Sequence, residues 1–159
     1  MRISVTVSAA PPLALPPELK KYKARRLLDE AGQRALSAVW QAAGAAGLDL
    51  TVHSPTRAVI VSAAAYDPRA AELRAADRDL GYAGLRANVN PLWLLKVLPN
   101  MPAAHLAILT KSGGPSHTVA DRDQATRLAR ALIVSGEADT VLHVDLPAAD
   151  AAVYAKRTG

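Results

Sequence analysis

The sequence predicts an α/β domain, a central sheet layered with helices, and three observations lead there. Short β-prone runs near residues 2–8, 58–64, 116–120 and 140–144 alternate with segments of helical periodicity. The 159 residues are 50% hydrophobic and 21% charged, which suits one globular core. There is no cysteine, so disulfides, zinc ribbons and thiol nucleophiles are all excluded. A domain of this length buries roughly two-thirds of its unfolded surface and folds without such staples.

The elements follow in order. In "MRISVTVSAAPPLALPP" a basic residue precedes an apolar run, which superficially resembles a signal peptide. Ile3, Val5 and Val7 alternate with Ser and Thr, however, and the prolines from Pro11 to Pro17 are incompatible with a helical signal core. The expectation is a strand from Arg2 to Ser8, an extended linker and a cytoplasmic location. Ala24 to Ala46 predicts a long helix, with Leu28, Ala31, Ala35, Val39, Ala42 and Ala46 at steps of three and four, ended by Gly47. Ala58 to Ala64 is a buried strand. Residues 67–90 are polar and irregular, with a helical turn at 70–76. Pro91 suits the first turn of a helix through Leu98, and Ala103 to Lys111 forms another, closed by Gly113. Ser116 to Ala120 is a short strand.

The clearest helix spans Asp123 to Ser135, with Ala125, Leu128, Ala129, Leu132 and Ile133 on one face, Asp121 or Asp123 as cap and Gly136 as stop. Thr140 to Val144 is the last strand. Residues 1–146 are read as one domain and 147–159 as an unpatterned C-terminal tail. No run is long and apolar enough to span a bilayer.

Most chemical signatures are absent. His53, His105, His117 and His143 lack metal-ligand spacing, so no metal is expected, and no cofactor motif is present. Ser116 and His117 are adjacent, which puts them on opposite faces of a strand and prevents a nucleophile–base pair. The net charge of +5 and a pI near 9.8 favour an acidic partner. "KKYKARR" carries five basic residues, Lys20, Lys21, Lys23, Arg25 and Arg26, around Tyr22. They read either as a solvated helix start or as a binding patch.

Three connected pieces carry a resemblance. "PLWLLKVLPNMPAAHLAI", "GGPSHTV" and "ALIVSGEADTVL" resemble successive motifs in the N-terminal half of β-ketoacyl synthases. "ARRLLDEAGQRALSAVWQAAGAAGLDL" and "RAVIVSAA" resemble the family's first long helix and second strand, so the likeness covers about residues 23–146. It implies half of a thiolase-like fold, with a central mixed sheet of about five strands and helices on both faces. The activity it implies is elongation of acyl chains held on acyl carrier proteins.

The departures bear on function. By the resemblance, the reactive cysteine of the family would fall near Asp123, within the degenerate region Asp121, Arg122 and Asp123. The following helix is about four residues short, roughly one α-helical turn. The two catalytic histidines of the family lie in a C-terminal half outside these 159 residues. Decarboxylative condensation needs a nucleophile and donors for the developing oxyanion. A carboxylate at Asp123 is a poor acyl acceptor and would give a labile anhydride, so no ketosynthase activity is expected.

What the resemblance then implies is a partner subunit like the cysteine-less chain-length factor of type II polyketide systems. It would pair with a ketosynthase, an acyl carrier protein or itself as a homo- or heterodimer. The implied interface uses Pro91, Trp93, Leu94, Val97, Met101, His105, Ser116, His117, Thr118 and Val119. Lys20, Lys21, Lys23, Arg25 and Arg26 are candidate carrier-protein contacts, because carrier proteins are acidic. Two other classes compete. One is an acyltransferase or hydrolase using Ser116, Asp121, Asp123 or His117. The other is a nucleic-acid binder, disfavoured because aromatic stacking platforms are missing.

Overall fold

The computed structural model describes residues 2–8, 17, 21, 30–63 and 100–157. Among these residues, five strands form one mixed sheet in the order β1-β5-β4-β2-β3. They are β1 (Arg2–Ser8), β2 (Arg57–Ser62), β3 (Ser116–Val119), β4 (Thr140–Asp145) and β5 (Asp150–Arg157). Helices α1 (Glu30–Ala45), α2 (Met101–Leu109) and α3 (Arg122–Ser135) cover both faces. β2 runs parallel to β3 and β4, whereas β5 runs antiparallel to β4 and β1. This is the mixed, two-faced architecture expected from the sequence.

Period-two alternation sorts the strand side chains into two cores. Val59 and Val61 of β2, Leu142 and Val144 of β4, and Ala151 and Val153 of β5 meet α1 and α2. Ala58, Ile60, Val141, Ala152 and Tyr154 meet α3. Of the residues predicted to form the buried stripe of α1, Ala35, Val39 and Ala42 are fully buried and Ala46 is half-buried, while Ala38 and Ala43 widen the stripe. Small side chains let the helix lie close to the sheet, which suits a chain so poor in aromatics.

Helix ends follow the chain's punctuation. Gly47 (φ 71°) and Gly136 (φ 82°) take the left-handed conformation that closes α1 and α3, as expected. α2 ends differently. The left-handed residue is Lys111 (φ 53°), with Ser112 N–H donating to Ala107 O at 2.9 Å and Lys111 N–H to Ile108 O at 3.3 Å. Gly113 and its neighbour Gly114 serve another purpose, which is close approach. A Cβ on Gly114 would lie 2.8 Å from the Arg57 carbonyl oxygen, and one on Gly113 2.9 Å from the His53 ring. Those glycines let the chain entering β3 pass against the chain entering β2.

The larger correction concerns the segment after Pro147. It is not an unpatterned tail: Asp150–Arg157 is β5, paired on both sides and buried from Ala151 to Tyr154. A four-residue turn joins it to β4, with Ala149 left-handed (φ 52°). Local propensity undersold this strand because it is alanine-rich, and alanine is a poor strand former on its own. Packing between α1 and α3 favours those small side chains. Pro17, the end of the extended linker expected at 11–17, is helical; the rest of that linker, the turn at 70–76, the helix at 91–98 and the start of the first long helix lie outside the described residues. Among the described residues, no helix is long and apolar enough to cross a membrane.

Candidate functional site

β3 delivers the chain to the N-terminus of α3, where the resemblance places the reactive residue. Asp121 has extended backbone (φ −142°, ψ 169°), and its carboxylate accepts the Gln124 N–H at 2.7 Å. The Gln124 side-chain oxygen accepts from Ala120 N–H at 3.3 Å. Asp121, one of the two caps the sequence offered, is therefore the N-cap, and the glutamine braces the turn before it. Asp123 follows in the first turn, exposed, where a negative charge complements the helix dipole.

Arg122, between them, leans back over the sheet. Its guanidinium donates to Asp145 at 2.9 Å and to both carboxylate oxygens of Asp150. Asp145 ends β4 and Asp150 begins β5, directly opposite in the antiparallel register. Two carboxylates facing each other across a hairpin repel, and one bidentate cation resolves the conflict. Those contacts, to Asp150 above all, push the Arg122 pKa up and keep it charged. The three residues predicted as a degenerate nucleophile region thus stand together, serving as a cap, an ion-pair hub and a first-turn charge.

Beneath this cluster lies a pair with no local sequence signal. Ser62 Oγ, at the end of β2, is 3.0 Å from His143 Nε2 on β4 and also donates to Val144 O at 3.3 Å. Both residues are buried, at 1% and 3% exposure. Burial pushes the His143 pKa down to about 4, with Asp145 opposing that shift and Arg122 reinforcing it. The imidazole is neutral at pH 7. A serine beside a neutral histidine has the groups for nucleophilic catalysis, but an acyl donor must reach Oγ, and here the hydroxyl is shut inside the core. The pairing depends on the parallel register of β2 and β4, which joins residues 81 apart in sequence.

The other predicted residues are scattered. Ser116 is exposed at the start of β3, and His117, Thr118 and Val119 are half-buried along it. Among the described strands, β3 lies at the edge of the sheet. Met101 begins α2, half-buried. His105 sits inside the core at 4% exposure, and burial lowers its pKa, so it offers little surface to a partner. Pro91, Trp93, Leu94 and Val97 lie outside the described residues, as do Lys20, Lys23, Arg25 and Arg26. Lys21 is exposed. His53 is exposed and far in sequence from the rest, and among the described residues no cluster of three or more His, Asp or Glu could hold a metal.

At the opposite end of the sheet, buried Arg57 is a structural clamp. Its guanidinium donates to the carbonyls of Thr110, Val52 (3.2 Å) and Asp49 (3.0 Å), tying both loops beneath the sheet to β2. Burial lowers its pKa, with Asp49 partly offsetting the effect.

Known proteins agree with this architecture. The chain resembles a β-ketoacyl synthase from Burkholderia phymatum (TM-score 0.63, 17% identity), which it matches over 83% of its own length and 33% of the other's. It also resembles the ishigamide ketosynthase/chain length factor (TM-score 0.62, 15% identity, 94% of this chain and 54% of that one). A third likeness is to a type II polyketide synthase acyl-carrier protein in complex with its ketosynthase bound to the hexaketide (TM-score 0.58, 21% identity, 87% and 42%). The chain therefore spans between a third and about half of those chains. No curated protein sequence matches it. The family model for the β-ketoacyl synthase N-terminal domain matches residues 12–144, and the chain belongs to that family.

Proposed function

We propose that this chain is a non-catalytic, ketosynthase-like subunit of a fatty-acid, polyketide or polyene pathway. In this reading it acts as a chain-length-factor-like or scaffold partner of a ketosynthase, an acyl carrier protein or both. One observation carries the reading. At the start of α3, where the family resemblance puts a cysteine, the side chains are committed to a helix cap and to ion pairs, and the chain has no cysteine. Support for pairing comes from the edge position of β3 among the described strands, since a strand edge recruits another strand. The net charge of +5 suits an acidic carrier.

A second reading, acyl transfer or hydrolysis by a hydroxyl, has the Ser62–His143 contact in its favour and the burial of both residues against it. One experiment addresses both. Purified protein is incubated with malonyl- and acyl-loaded carrier proteins, then analysed by intact mass and for released product, beside co-purification with the pathway's ketosynthase. The expected result is an unmodified chain that co-purifies with its partner. Covalent acylation above an unfolded control, lost in Ser62→Ala, would replace the first reading with the second.

A further inference from the structure

β5 carries a like-charged cross-strand pair at each end. At its start Asp150 faces Asp145 of β4. At its end Arg157 faces Arg2 of β1. Directly opposed side chains have their Cβ atoms about 5 Å apart, and like charges placed so are destabilising. The first conflict is resolved within the chain, by the Arg122 guanidinium that joins the two carboxylates. The second has no such resolution among the described residues. Both arginines are exposed, and the side-chain ion pairs there are those of Arg122.

The described acids at that end of the sheet are directed elsewhere. The Asp49 carboxylate accepts from Thr51 N–H and Oγ, at 2.8 and 2.6 Å. Glu137 accepts from Ser135 Oγ at 2.9 Å. Asp139 stands opposite Lys156, whose N–H donates to the Asp139 carbonyl at 3.0 Å. Alternation along β5 separates the faces. Ala151 and Val153 pack toward α1 and α2, Ala152 and Tyr154 toward α3. Arg157, in step with Val153, therefore shares the α1 and α2 side with its partner Arg2, while Lys156 and Asp139 belong to the other.

We infer that Arg2 and Arg157 form a binding site for a dianionic phosphoryl group. Each guanidinium offers a planar fork of donors that fits two phosphoryl oxygens. Two forks at opposed positions converge on one tetrahedral anion, and its two negative charges balance theirs. A carboxylate or a phosphodiester brings a single charge and leaves one cation unbalanced. A local choice that works against its own fold is characteristic of functional positions. The pair lies at the opposite end of the sheet from the α3 start, so the inference stands whether or not the chain partners a ketosynthase.

The test titrates the full chain with inorganic phosphate, phenyl phosphate and dimethyl phosphate at constant ionic strength. At about pH 8 the first two are dianions and the third a monoanion. Arginine Nε–H signals in NMR report binding, and thermal melts report stability. Both dianions should shift the Arg2 and Arg157 signals and bind about tenfold tighter than the diester. Tighter binding of phenyl phosphate assigns the site to phosphate monoesters, and tighter binding of inorganic phosphate assigns it to the free ion. Arg157→Gln should weaken phosphate binding about tenfold or more, yet melt no lower than the parent without phosphate, because it also removes the repulsion. Arg157→Glu should pair with Arg2, melt about 2 °C above the parent without phosphate, and gain nothing from its addition. Arg130→Gln, on α3, should leave the affinity unchanged. Phosphate binding that is absent, or that survives Arg157→Gln, would overturn the inference. So would equal affinity for dimethyl phosphate, which points to a nucleic acid or a lipid. An Arg157→Gln chain that melts lower than the parent without phosphate would overturn it too, since the arginine would then have its partner within the chain.

Discussion

Asp145 and Asp150 face each other across the mouth of the β4–β5 hairpin, and the guanidinium of Arg122 joins them from the first turn of α3. This relationship couples the helix start to the one hairpin of the sheet among the described residues. Arg122→Ala should lower stability by about 1 kcal/mol, the upper range for a surface ion pair, because the arginine side chain is 48% exposed and solvent screens the interaction. Adding Asp150→Asn to that variant should recover part of the loss by relieving carboxylate repulsion. Urea denaturation of the single and double variants measures both. A double variant weaker than the sum of two independent losses contradicts the coupling.

His143 sets an acid limit. Its folded-state pKa of about 4 lies below the ordinary value of 6.5, so the unfolded chain binds the extra proton between those values. Its stabilising effect is complete above pH 6.5 and is lost as pH falls toward 4. The loss approaches roughly 3 kcal/mol at the acid end, an order-of-magnitude figure. His143→Gln should flatten stability across that window relative to the parent chain. An imidazole that titrates near 6.5 in the folded protein by NMR would contradict this.

Three glycine substitutions should separate cleanly. Gly114→Ala drives a Cβ to 2.8 Å from the Arg57 carbonyl oxygen and 2.9 Å from its carbon. Backbone on both sides must move, at a cost of about 2–3 kcal/mol. Gly113→Ala meets the exposed His53 ring first and should cost less. Gly44→Ala, in α1, meets nothing within 4 Å and should stabilise by about 0.5–1 kcal/mol. Thermal melts rank the three, and a ranking with Gly44→Ala lowest would be wrong for this structure.

Association should centre on residues 91–120. Trp93→Ala, in the segment read as a large apolar anchor, should weaken the complex with a ketosynthase or a second copy far more than it lowers stability. Lys20→Ala should leave that association nearly unchanged. Sedimentation velocity of each variant, with and without the pathway ketosynthase, provides the comparison. A well-folded monomer at tens of micromolar in every mixture argues against a partner subunit.

What the sequence determined by itself is what local physics controls. Alternating Ile3, Val5 and Val7 marked β1, the alanine stripe marked α1, and Asp121 with Gly136 bounded α3, because patterning and caps act within a few residues. The ordered motifs around residues 91–142 identified the family, and the lack of cysteine followed from composition. Tertiary structure decided the rest. Asp150–Arg157 is a strand because β1 and β4 flank it, and no run of alanines announces such pairing. Ser62 meets His143, and Arg122 meets Asp145 and Asp150, only through the register of β2, β4 and β5. Gly113 and Gly114 reveal their purpose only when the entries to β2 and β3 lie side by side. Side chains distant in sequence become a site through chain pairing, which is why the capping residues were legible and the pairings beneath them were not.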